Sequence, residues 1–145
     1  MFVCTGNICR SAMAEALMKK IAQENGKKIE VHSCGTYAED GDRSTNEAIE
    51  VMKNEYGIDM SKHIATNIAN SDIKDCDLIL CATNNHKNMV IQLFPELKDR
   101  TFTIKEYAGQ TRSMDISDPW GYGIMVYRKC ANEINELLNI IIRKI

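Results

Sequence analysis

Cys4-Thr5-Gly6-Asn7-Ile8-Cys9-Arg10-Ser11 stands between a short apolar lead, Met1-Phe2-Val3, and a helical pattern. No other stretch constrains the fold as strongly, because a strand must turn through this segment directly into a helix. Backbone N–H groups gathered at a helix N-terminus bind phosphate and also stabilise a thiolate. A cysteine needs a lowered pKa to act as a nucleophile near neutrality, and an anion-binding loop is one way to lower it. Gly6 and Asn7 are expected to take the positive-φ conformations that turn successive N–H groups toward one centre. Arg10 adds a planar fork able to hold two phosphate oxygens at once. Nucleophile, cradle and clamp thus fall within seven residues, Cys4 to Arg10.

The spacing by itself is weak, since Cys-x5-Arg arises by chance in many chains. The plainer reading is a buried cysteine ending a strand, with Arg10 as a surface charge. Context favours the loop: an apolar strand before it, Gly-Asn within it, serine and a helix after it. A Walker-type loop is excluded because no Gly-Lys-Ser/Thr follows. A dinucleotide loop is excluded because there is no Gly-x-Gly-x-x-Gly.

Strand and helix signals alternate along the rest of the chain. Met13, Leu17 and Ile21 mark a helix face that stops near Asn25-Gly26. Ile29–Ser33 alternates as a strand, and Tyr37–Arg43 is polar, hence a loop. Ser44-Thr45-Asn46-Glu47 has the form of a capping box, opening a helix that buries Ala48, Ile49, Met52 and Tyr56 and ends at Gly57. Asp77–Ala82 is apolar like a buried parallel strand. Thr83 or Asn84 caps a helix that stops before Pro95. Thr101–Ile104 is the last strand. From about Tyr122, the residues Tyr127, Cys130, Ile134, Leu137, Leu138 and Ile141 recur at helical spacing. The expected fold is α/β: a doubly wound four-stranded parallel sheet with helices on both faces, one domain over 1–145. Ligands of such sheets bind at the carboxyl ends of strands where strand order reverses, which is where the Cys4 loop falls.

Composition narrows the partners. Net charge is −2 with both signs interspersed, so no basic stripe suggests nucleic acid. No apolar run could span a bilayer, and no secretory leader is visible, so a cytoplasmic protein is expected. The cysteines are irregularly spaced, as in reduced cytosolic proteins, and none has zinc spacing. No metal or cofactor is expected.

The segment Val3–Ser11 with Met13-Ala14-Glu15 resembles the phosphate loop of the low-molecular-weight protein tyrosine phosphatases. That family also carries an Asp-Pro pair ahead of its final helix, and Asp118-Pro119-Trp120-Gly121 stands at the corresponding place. The likeness continues through Ser33-Cys34-Gly35-Thr36, Gly57-Ile58-Asp59, His63 and Lys105-Glu106-Tyr107, and so covers essentially the whole chain. Family members usually have a few more residues before the nucleophile, so the first strand is expected to be short. Ala12 stands where the family usually has proline, a tolerated change in the first turn of a helix.

The resemblance implies hydrolysis of a phosphorylated protein through a cysteinyl-phosphate. Cys4 would be the nucleophile and Arg10 the phosphate clamp, with Asp118 as general acid and then base. The loop Thr5, Gly6, Asn7, Ile8, Cys9 and Arg10 would bind the phosphate. Ser11 would donate to the Cys4 thiolate and also cap the first helix. His63 matches a family histidine that holds the loop asparagine, here Asn7. Cys9 matches a cysteine that pairs with the nucleophile and protects it from over-oxidation. His32 and His86 receive no role, and a monomer is expected.

Ile8 and Trp120 bear on specificity. An aromatic wall beside a deep loop suits a flat phosphotyrosine. A bacterial branch of the family acts on phosphoarginine and resembles this chain in Cys-Thr-Gly-Asn and Lys105-Glu106-Tyr107, but carries threonine at the position of Ile8. Isoleucine there matches the tyrosine-specific members, so phosphotyrosine is the expected substrate and phosphoarginine the alternative. A thiol-coupled arsenate reductase would need resolving cysteines, for which Cys76 and Cys81 are the candidates. A phosphate-binding module without catalysis would need neither Cys4 nor Asp118.

Overall fold

Side-chain alternation along the first strand divides the interior in two. Phe2 packs with Leu80 in one hydrophobic cluster, while Val3 packs with Cys34, Ile79 and Cys81 in another. A strand buried on both faces needs cover on both, and the helices supply it. The computed structural model describes residues 1–145. Its elements in chain order are β1 (Phe2–Cys4), α1 (Arg10–Glu24), β2 (Ser33–Gly35), α2 (Asn46–Tyr56), β3 (Ile79–Cys81), α3 (Asn84–Leu93), β4 (Thr101–Thr103), α4 (Ile104–Tyr107) and α5 (Ile124–Ile141). The four strands are parallel, in the order β2-β1-β3-β4. The chain leaves β1 toward β2 and returns across it to β3, so strand order reverses beside Cys4. The larger cluster joins α1, α2 and α5 through Met13, Leu17, Met52, Tyr127, Ile134 and Leu138. The smaller one brings Val90 of α3 and Leu97 against the opposite face.

Several boundaries differ from the expectation. The second strand is Ser33–Gly35 rather than Ile29–Ser33. Its register runs from Phe2 opposite Ser33 to Cys4 opposite Gly35, past most of the alternating run, and Ile29 is exposed. The cap of α2 is Thr45, not Ser44: the Thr45 hydroxyl accepts from Ala48 N at 3.3 Å, and the buried Ser44 hydroxyl has no partner. Val51 is buried on that helix, whereas Ile49 and Tyr56 are only half-buried. Gly57 closes α2 with φ 66°, as expected of a left-handed cap. Of the two alternatives expected to cap α3, Thr83 takes the position.

Ile104 leaves the last strand to open α4. Thr103 Oγ1 accepts from Glu106 N at 2.9 Å and Glu106 Oε1 accepts from Thr103 N at 3.1 Å. This reciprocal pair satisfies two otherwise unpaired N–H groups and turns the chain. No helix is long and apolar enough to cross a membrane.

Candidate active site

β1 delivers Cys4 at its carboxyl end, and the chain then wraps from Thr5 to Cys9 before entering α1. Asn7, with φ 56°, is the only non-glycine residue in the left-handed region. Gly6, expected to share that conformation, does not, so a single left-handed residue makes the turn. The close-approach glycine is instead Gly35 on β2. A Cβ there would collide with the Thr5 carbonyl oxygen and lie 2.9 Å from Asn7 N.

Asn7 is wholly buried, and both ends of its amide are hydrogen-bonded. Its Nδ2 donates to Ser11 Oγ at 2.8 Å and to Ser33 Oγ at 2.9 Å, and its Oδ1 accepts from Thr66 N at 3.0 Å. The strained φ is held by these partners. His63 Nε2 lies 2.9 Å from the Asn7 carbonyl oxygen, so it grips the loop through the backbone rather than the amide.

Ser11 Oγ lies 2.8 Å from Cys4 Sγ. Because Ser11 accepts from Asn7, its own hydrogen is free to point at the sulfur. Ser11 does not cap α1. The cap position belongs to Cys9, which offers no side-chain bond, and Ser11 sits within the first turn with its oxygen engaged by Asn7.

Arg10 is buried. Its Nη1 donates to the Ile116 carbonyl at 2.9 Å, and its Nη2 lies 3.5 Å from Asp118 Oδ2. Asp118 is half-exposed, and its Oδ1 accepts from Trp120 N at 3.1 Å. Trp120 itself is 62% exposed. Cys4, Thr5, Gly6, Ile8, Cys9, Arg10, Asp118 and Trp120 line one cavity of about 200 Å³. Of the residues expected at the reacting centre, all but Asn7 line this cavity; Asn7, wholly buried, lies behind the loop with Ser11 and His63. The larger clefts elsewhere hold no comparable set.

Cys9 has its thiol under the loop, with Sγ 3.2 Å from Tyr127 Oη and 3.7 Å from Thr45 Oγ1. Burial pushes the Cys9 thiol up, against the lowering effect of those bonds. Cys4 and Cys9 are both free thiols. Cys81 is fully buried in the smaller cluster and desolvation raises its thiol, which argues against a resolving role; Cys76 is half-buried beside it.

His86, given no role from the sequence, proves to be buried against the loop. Its Nε2 lies 2.8 Å from Thr5 Oγ1 and its Nδ1 2.9 Å from Thr83 Oγ1. Burial, reinforced by Arg10, lowers its pKa to about 4. A lone histidine carries no motif, and only the fold brings α3 to the loop.

The model of the low molecular weight phosphotyrosine protein phosphatases matches residues 1–145. The chain is 39% identical to a protein-arginine-phosphatase of Geobacillus stearothermophilus, covering 100% of this chain and 94% of that protein. It is 38% identical to the protein-arginine-phosphatase of Bacillus subtilis, covering 94% and 89%. The solved low molecular weight protein tyrosine phosphatase from T. tengcongensis superposes with a TM-score of 0.94 at 42% identity, covering 99% of this chain and 97% of that one. With its loop, its sheet order and its whole length in agreement, the chain belongs to the low molecular weight phosphotyrosine protein phosphatase family and is a phosphatase.

Proposed function

We propose that this single-domain chain hydrolyses phosphotyrosine in proteins through a cysteinyl-phosphate. The convergence of Cys4, Arg10 and Asp118 on one cavity, with Ile8 and Trp120 as its apolar lining, is the observation that carries the reading. Cys4 sulfur attacks phosphorus and the ester P–O bond breaks, with Asp118 giving the departing oxygen its proton. Asp118, now a base, takes a proton from water as the water oxygen displaces the sulfur and releases inorganic phosphate. Loop N–H groups and Arg10 stabilise the equatorial oxygens throughout, so positioning and electrostatics supply most of the rate. The Ser11 hydroxyl serves the sulfur as thiolate and as leaving group. No cofactor enters these steps. Peroxide would oxidise the Cys4 thiolate to a sulfenic acid with release of water. The Cys9 thiol, once it leaves Tyr127, would then attack that sulfur and expel a second water, forming a Cys4–Cys9 disulfide that shields the nucleophile.

Phosphoarginine is the second reading, supported by the two arginine phosphatases described above. Ile8 supports the phosphotyrosine reading. Its apolar side chain can pack on a tyrosyl ring and would crowd a guanidinium, which needs polar partners.

The test pairs kcat/KM on phosphotyrosine and phosphoarginine peptides with the variant Cys4→Ser. The parent should prefer phosphotyrosine, and Cys4→Ser should be inactive yet folded. Preference for phosphoarginine overturns the substrate assignment, and turnover by pure Cys4→Ser overturns the covalent route.

A further inference from the structure

His86 has no part in the steps above, yet it occupies the third position of α3, with its ring between two hydroxyls. Thr83, the cap of α3, accepts from His86 N at 3.2 Å through the same Oγ1 that lies 2.9 Å from Nδ1. A neutral imidazole has one N–H and one lone pair, so hydrogen placement discriminates between its two forms. The charged and titratable groups facing the ring are Arg10, Asp115 and Asp118, and burial together with Arg10 keeps it neutral.

Consider first a hydrogen on Nδ1. Thr83 Oγ1 would then accept from both Nδ1 and the His86 backbone, and its own hydrogen would find no protein acceptor. Thr5 would have to donate into Nε2, and its hydroxyl would be lost to the cavity. With the hydrogen on Nε2, Thr83 donates to Nδ1 while accepting from the backbone, and Nε2 donates to Thr5. The Thr5 hydrogen is then left over. Thr5 is exposed and lines the same cavity as Cys4 and Arg10, where a phosphoryl oxygen would accept it.

We propose that His86, in its Nε2–H form, is a positioning residue that fixes the Thr5 hydroxyl as a donor to the phosphoryl group in the cavity. The proposal rests on reading Cys4–Arg10 as the phosphate loop. It adds a directed side-chain donor to the ring of backbone donors, set by a residue on a different helix.

Two measurements test it. Nitrogen-resolved NMR of the resting protein near neutral pH should show His86 protonated at Nε2 and bare at Nδ1; the opposite form, or a doubly protonated ring, overturns the proposal. A double-mutant cycle should show Thr5→Val and His86→Leu each lowering kcat/KM by roughly tenfold, the scale of one hydrogen bond. The double variant should be no more than about twofold below the worse single one. Losses that multiply, or a His86→Leu protein within about twofold of the parent, would mean that His86 merely packs. Should His86→Leu fail to fold, the tautomer decides alone. That reading needs no turnover, so it can fail while the phosphatase reading stands, and the reverse.

Discussion

Arg10 Nη1 donates to the Ile116 carbonyl at 2.9 Å, tying the end of the phosphate loop to a segment 106 positions away. The same guanidinium approaches Asp118 at 3.5 Å. One planar group thus bridges the loop, the Ile116 segment and Asp118, and it keeps further N–H groups for a bound anion.

Arg10→Lys should for this reason lower kcat/KM by at least about a hundredfold, because a point charge cannot hold the Ile116 carbonyl and two phosphate oxygens together. Steady-state kinetics on an aryl phosphate reads this directly. A variant close to the parent would leave Arg10 a structural strut only.

Asp118→Asn should slow phosphotyrosine by roughly a hundredfold or more, and activated aryl phosphates far less. An activated leaving group departs without a proton, so the gap between the substrates measures acid catalysis. Equal losses on both would remove Asp118 from that role.

Ile8→Thr should lower kcat/KM on phosphotyrosine and raise it on phosphoarginine. A pocket change of this size is worth about 1–3 kcal/mol in discrimination. The measurement is the ratio of the two rate constants in each protein, and an unchanged ratio would show that Ile8 does not set specificity.

Protein stability should fall as pH drops from about 6.5 toward 4, the unfolded and folded values for His86. The sign follows from linkage: in that window the unfolded chain binds a proton that the buried ring refuses, so acid favours unfolding. The contribution is roughly 3 kcal/mol, present above the window and lost through it. Urea titrations near pH 7 and pH 4.5 should show a larger drop for the parent than for His86→Gln. An identical drop in both would mean that His86 is not held neutral.

Much of this was legible in the residues because local chemistry and fold agree in them. Cys4, Arg10 and the apolar strand before them specify a strand, a turn and a helix together, and the apolar Ile79–Cys81 core of β3 announces a strand covered on both faces. Asp118-Pro119 alone reads as an ordinary turn and gains meaning only together with the Cys4 loop, and the approach of Asp118 to Arg10 is tertiary. What escaped depends on contacts between distant segments. Gly35 reads as an ordinary strand glycine until Thr5 and Asn7 are laid against it. His86 has no periodicity or spacing that marks it, and Thr83 signals only a helix start. The shift of β2 from its alternating run reflects register with β1, which no local pattern encodes. Thr45 took the cap from Ser44 because two adjacent hydroxyls offer the same chemistry and only backbone geometry selects one.

Cys4 is itself a rung of the sheet: it pairs with Gly35, its carbonyl accepts from Thr36 N at 2.9 Å, and β1 lies between β2 and β3. The proposed nucleophile is therefore mounted on an interior strand of the sheet. Local fraying at the periphery leaves its height unchanged, and only disruption of the sheet displaces it. Heat inactivation and the loss of the sheet should then trace one curve, making turnover a thermometer of the whole molecule.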